Sequence, residues 1–173
     1  MTNDTPVTLP PDDPNRALTL ALADGGTAPH LSVAGDTYTI LLRGADTGGR
    51  YCLIDMYVPP GGGPPPHRHD FEEMFTLLEG ELEFTFRGEK KVARAGVTVN
   101  VPANAPHSFR NVSTAPARML CLCAPAGQEE FFQQIGAPVE TRTAPPPELS
   151  EAEKAAGMAK AMALMAKYRT EMV

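Results

Sequence analysis

GGGPPPHRHDFEEMFTLLEG, residues 61 to 80, sets His67, His69 and Glu73 within seven positions. In an extended backbone, side chains at i, i+2 and i+6 share a face. Two imidazoles and a carboxylate therefore converge on one point, predicting a site for a divalent transition metal. Neutral imidazole suits such ions, and a carboxylate offsets part of their charge. A second stretch, GVTVNVPANAPHSFRN, residues 96 to 111, adds a third imidazole at His107. Three of the chain's four histidines thus lie in two short segments punctuated by Gly and Pro.

The spacing of Gly61, His67, His69, Glu73 and Gly80 is similar at every position to the first cupin motif. Gly96, Pro102, His107 and Asn111 resemble the second, with one departure: Asn104 stands where that family usually has glycine. A tight turn there asks for positive φ, and Asn is the non-glycine residue that best tolerates it. The resemblance covers roughly residues 36 to 125. It implies an all-β fold, a double-stranded β-helix or jelly-roll cupin barrel, here with short C-terminal helices. It also implies one divalent transition metal per chain (Fe, Mn, Ni, Co, Cu or Zn) held by His67, His69, Glu73 and His107.

The composition suits a single folded domain. Of 173 residues, 42% are hydrophobic and 21% charged, ordinary values for a globular protein. The 18 prolines and 15 glycines favour short strands joined by turns. A net charge of −6 offers no basic surface for nucleic acid. No apolar run reaches the ~18 residues of a membrane span, and the N-terminus is polar and acidic, so a cytoplasmic location is expected. Cys52, Cys121 and Cys123 contain no C-x-x-C and read as reduced, buried thiols, with Cys121 and Cys123 on one strand face.

Three regions are expected: a flexible arm at 1–15, a barrel at 16–126, and a helical extension at 127–173 that packs on the barrel or on a partner subunit. Arg16 to Ala23 fits either a strand or a helical turn. His30 reads as a surface residue or one just outside the site. Asp36 to Arg43 and Arg50 to Val58 form a hairpin. In the second of these strands, Cys52, Ile54, Met56 and Val58 alternate with Tyr51, Leu53, Asp55 and Tyr57, and either face could line the cavity. The proline-rich run Pro59 to Pro66 cannot pair centrally and delivers His67 to the barrel mouth. Strands follow at Met74 to Glu79, Glu81 to Arg87, Lys91 to Arg94, Val97 to Val101 and Arg118 to Cys123. Phe75, Leu77, Phe84, Phe86 and Phe109 read as core, or as an apolar wall for substrate. Glu72 should point away from Glu73.

Beyond Pro125, Phe131, Phe132 and Ile135 predict a short helix at Gln128 to Ile135. Thr143 to Pro147 is a spacer. Ser150 and Glu153 form a capping box for a long helix, on which Met158, Met162, Met165 and Met172 make one stripe. This tail resembles that of single-domain cupins of the quercetin dioxygenase-like group, which implies a homodimer and a small-molecule substrate. The resemblance further implies a metal-dependent dioxygenase acting on a small aromatic or enolic compound, with Glu73 both ligand and catalytic base. A non-redox isomerase, decarboxylase or lyase, or a binding cupin without turnover, are the alternatives.

Overall fold

The computed structural model describes residues 8–173. Its strands are β1 (His30–Val33), β2 (Asp36–Leu42), β3 (Cys52–Val58), β4 (His67–His69), β5 (Glu72–Glu79), β6 (Glu81–Phe86), β7 (Glu89–Arg94), β8 (Thr98–Val101), β9 (His107–Arg110), β10 (Ala117–Ala124), β11 (Ala137–Val139) and β12 (Thr170–Met172). The helices are α1 (Gly44–Thr47), α2 (Gln128–Ile135) and α3 (Glu151–Met165). All strand pairings are antiparallel, in a seven-stranded sheet ordered β11-β1-β2-β3-β10-β5-β8 and a five-stranded sheet ordered β12-β4-β9-β6-β7. This is the expected jelly-roll architecture.

Strand alternation builds the core. Along β10, Ala117, Met119, Cys121 and Cys123 are buried while their neighbours are half-buried, the period of two that a pleated strand imposes. Ile54, Met56, Phe75, Leu77 and Leu82 complete the interior at 2% exposure or less; burying each such side chain contributes ~1.5–3 kcal/mol. Phe75, Phe84 and Phe109 form a triangle with ring centroids 5.5–5.8 Å apart. The inward face of β3 is that of Cys52, Ile54, Met56 and Val58, which settles the alternative left open by its alternation. Asp55, equally buried, belongs to the opposite face and is held by the Arg118 guanidinium, with Nη2 2.6 Å from Oδ2.

Several expectations are corrected. His67, His69 and Glu73 do not lie on one continuous strand, because the chain leaves β4 in the smaller sheet and enters β5 in the larger one across Asp70 and Phe71. Arg16 to Ala23 is neither strand nor helix, and Leu18 and Leu20 are each 87% exposed. Residues 1–7 of the expected arm lie outside the described residues, and residues 8–15 are exposed and irregular. GADTGG contains one helical turn, α1, ended by Gly48 in the left-handed region. The segment after α2 joins β1 as β11, a pairing too short to show in the sequence.

The methionine stripe also divides. α3 begins at Ser150 with the expected capping box, but the helical path ends in a 3-10 turn, Ala166–Tyr168, closed by Arg169 at φ 58°. Met172 therefore falls on β12, which pairs with β4 so that Thr170 opposes His69 and Met172 opposes His67. α3 lies over this chain's own barrel, with Ala161, Leu164 and Met165 against the core.

Candidate metal centre

The four predicted ligands come from both sheets. β4 supplies His67 and His69, β9 supplies His107 directly across from His67, and β5 brings Glu73 from the facing sheet. One ligand atom from each of the four lies within 4.8 Å of the others. His69, Glu73 and His107 are buried and His67 is half-buried, so the cluster sits inside the barrel with one imidazole toward the mouth.

Local backbone geometry fixes this arrangement. Gly61 and Gly63 have φ of 80° and 120°, conformations that glycine adopts without penalty. A Cβ on Gly63 would stand 2.1 Å from the Phe109 carbonyl oxygen. The loop is clamped from two sides: Gly61 N–H donates to the Asn111 carbonyl at 2.8 Å, and Gly63 N–H to Asp36 Oδ1 at 3.2 Å. In the second motif Asn104 takes the predicted positive φ, 67°. Its N–H donates to the His69 carbonyl at 2.7 Å, tying that turn to the ligand strand.

Each ligand imidazole is oriented by a carbonyl. Nδ1 of His67, His69 and His107 lies 3.0, 3.0 and 2.9 Å from the carbonyl oxygens of Pro65, Phe71 and Ala105. A carbonyl only accepts, so Nδ1 carries the proton and Nε2 of the neutral ring presents a lone pair. Nε2 of His69 and of His107 stand 3.0 and 3.1 Å from the same oxygen, Glu73 Oε2. Two rings facing one carboxylate oxygen need a positive charge among them, which either a proton on Nε2 or a divalent cation supplies. The residues thus fit a metal, which three imidazoles and one carboxylate would hold.

Without an ion, a ring proton is that charge. Burial alone would push the Glu73 carboxyl up, but the hydrogen bonds and charges of His107 and His69 outweigh it and hold it well below the usual carboxylate range. Burial lowers His67 to about 4, with the charge of His107 acting in the same direction, so this ring is neutral and ready to ligate at pH 7. Burial opposes charge on His107 as well, yet Glu73 raises it above its ordinary value.

Two neighbours of Glu73 escaped the sequence reading. Cys121 Sγ donates to Glu73 Oε1 at 3.3 Å, and Cys123 Sγ lies 3.7 Å from the same oxygen. The thiols are reduced and buried as expected, and burial pushes Cys121 up to about 12, so it remains a donor. The inward alternation of β10 was visible, but its register against β5, which pairs Cys123 with Glu73, was not. Glu72 points away and accepts from Ala103 N–H at 3.2 Å. His30 is apart from the cluster, its Nδ1 2.7 Å from Thr39 Oγ1.

A cavity of about 290 Å³ opens off His67 and Glu73. Phe75 and Phe109 wall its barrel side, joined by Tyr38 and Met56, while Phe131 of α2 and Met165 of α3 close the other. Leu77, Phe84 and Phe86 do not line it.

Fold and cluster together define a jelly roll with a candidate metal site inside it, and the comparisons name the family. Residues 54–123 match the cupin domain model, and the chain belongs to the cupin family. It is 28% identical over 109 residues to a quercetin 2,3-dioxygenase of Bacillus subtilis, a match covering 62% of this chain and 32% of that protein. It is also 31% identical over 84 residues to an uncharacterized protein of Methanocaldococcus jannaschii, covering 48% of this chain and 67% of that one. The chain thus matches only about a third of the length of the dioxygenase. Among solved structures, a predicted oxalate decarboxylase from Thermotoga maritima superposes with a TM-score of 0.57 at 18% identity. The match covers 62% of this chain and 99% of that one, and speaks for the fold alone. No helix among the described residues is long and apolar enough to cross a membrane.

Proposed function

We propose that this cupin is a metal-dependent dioxygenase acting on a small aromatic or enolic compound. The observation that carries the reading is the junction of the four-residue donor cluster with a mostly apolar cavity. The similarity to a quercetin 2,3-dioxygenase supports it. A redox-active ion held by His67, His69, Glu73 and His107 would supply the electronic route between an electron-rich enolate and dioxygen.

The chain's own residues do the rest. Glu73 carries the negative charge needed to take a proton from an enolic hydroxyl, and its Oε1 is held by thiols while Oε2 faces the imidazoles. Apolar walls exclude bulk water and strengthen each charge interaction inside. Phe75 and Phe109 offer aromatic surface to a planar ring in this cavity. The expected homodimer belongs to the same proposal, and light scattering in solution tests it.

Oxygen uptake is the test of the reaction. Metal-loaded protein supplied with 3-hydroxyflavone, an enolic aromatic compound, should consume dioxygen, and a chelator or Glu73→Gln should abolish the uptake. Turnover that persists anaerobically with Zn would favour the non-redox isomerase, decarboxylase or lyase reading instead.

A further inference from the structure

At the end of the cavity formed by α2, one polar group has no partner. Gln128 is 6% exposed and lines the cavity, and its Oε1 is fully buried without a hydrogen bond among the described residues. It is the sole side-chain atom of that kind among them. Buried polar groups are nearly always satisfied, so an exception calls for an explanation.

The surroundings do not supply one. Val33, Phe131, Phe132, Ile135 and Met158, which share this lining, offer no side-chain hydrogen-bonding group. The Tyr38 hydroxyl is directed to Asp36 Oδ2 at 3.4 Å, and the Thr170 hydroxyl to the Tyr168 carbonyl at 3.1 Å.

No hydrogen bond holds the amide itself, so it can turn toward the cavity, but the helix end that carries it is fixed. Gln128 is the first residue of α2, and the next residue, Glu129, anchors that helix end. Glu129 Oε2 accepts from Gly127 N–H at 2.7 Å, and its Oε1 from Gly44 N–H at 2.6 Å. Glu129 is itself only 2% exposed. Phe132 packs edge-on against Tyr38 with centroids 4.8 Å apart, fixing the helix to the sheet. Gln128 is therefore a polar group carried by a fixed helix end on a mostly apolar wall.

We infer that Gln128 is a specificity-determining residue, and that the substrate class is an aromatic compound with two polar ends. One end is the enolic group at the His67, His69, Glu73 and His107 cluster, and the other is a hydroxyl that pairs with the Gln128 amide. A hydroxyl both donates and accepts, so it satisfies the amide whichever way the amide is turned. A site built to bond a hydroxyl rejects the analogue lacking it, because the buried partner is then left unpaired. The methionines of α3 over the cavity adapt to the outline of the ring system. This inference rests on the reading of the cluster as an enolate site.

The test uses the full chain loaded with Zn, so that binding is measured without turnover. The probes are 3-hydroxyflavone and its isomers carrying one additional hydroxyl at different ring positions, followed by ligand fluorescence. The expected result is that one isomer binds about tenfold more tightly than the parent. Gln128→Met, which keeps the length and removes the amide, should erase that preference and leave metal content unchanged. If the parent binds but no isomer gains, or the gain survives in Gln128→Met, the role of Gln128 is overturned and the enolate reading stands. If no probe binds the wild type, both are overturned. Should Gln128→Met fail to fold, Gln128→Leu and the wild-type preference decide the matter in the same way.

Discussion

Glu73 is the residue on which the two halves of the site meet. Its Oε2 faces two imidazoles and its Oε1 receives a thiol, so its carboxylate has one orientation. Groups that orient a metal ligand from outside typically tune affinity by ~10–100-fold. Cys121→Ala should accordingly weaken metal affinity about tenfold, measured by competition with a chelator. Cys121→Ser, which keeps a donor, should stay within about threefold of the wild type. Equal loss in both variants would show that packing volume, and not the hydrogen bond, is what matters at Cys121. The four clustered residues were picked out by residue type and by the resemblance to the two cupin motifs. The thiol contact was not, since strand register depends on partners distant in sequence.

At the scale of the element, the loop before β4 decides whether His67 and His69 reach the site. Gly61 and Gly63 both have positive φ, but their surroundings differ: nothing lies within 4 Å of a Cβ on Gly61, whereas Gly63 abuts the Phe109 carbonyl. Gly61→Ala should cost ~1 kcal/mol through backbone strain alone. Gly63→Ala should cost on the order of 3 kcal/mol or more and lower metal occupancy as well. Thermal melts with metal analysis check the pair, and equal effects would mean that backbone strain alone governs this loop. The glycine-rich turn and the strand alternation were readable because they are local. β11 and β12 were not, because three-residue strands form only where a partner edge awaits them. The single-strand reading of His67 to Glu73 failed for a related reason. Spacing by even numbers aligns side chains only while the backbone stays in one sheet.

For the whole molecule, Asp36 makes stability depend on pH. It is 1% exposed at the start of β2, and burial pushes its carboxyl up from 3.8 to about 7 against the opposing hydrogen bonds of Gly63 and Tyr38. A raised folded pKa means that the native state retains a proton the unfolded chain has released. The favourable contribution of this group is complete below 3.8 and is lost as pH rises through about 7. Asp36→Asn should therefore melt higher than the wild type at pH 8, by the equivalent of about 2–4 kcal/mol, and the two should converge near pH 4. Identical melting at pH 8 would contradict this, and would mean that Asp36 is solvated in a way the fold does not suggest.

The central claim is that His67, His69, Glu73 and His107 hold one divalent transition metal. Elemental analysis of the purified native protein, beside His107→Ala and His30→Ala, tests it most directly. Close to one Fe, Mn, Ni, Co, Cu or Zn ion per chain is expected in the wild type and in His30→Ala, and a marked loss in His107→Ala. A native protein that takes up no metal even after reconstitution, or a His107→Ala variant that keeps as much as His30→Ala, would contradict it.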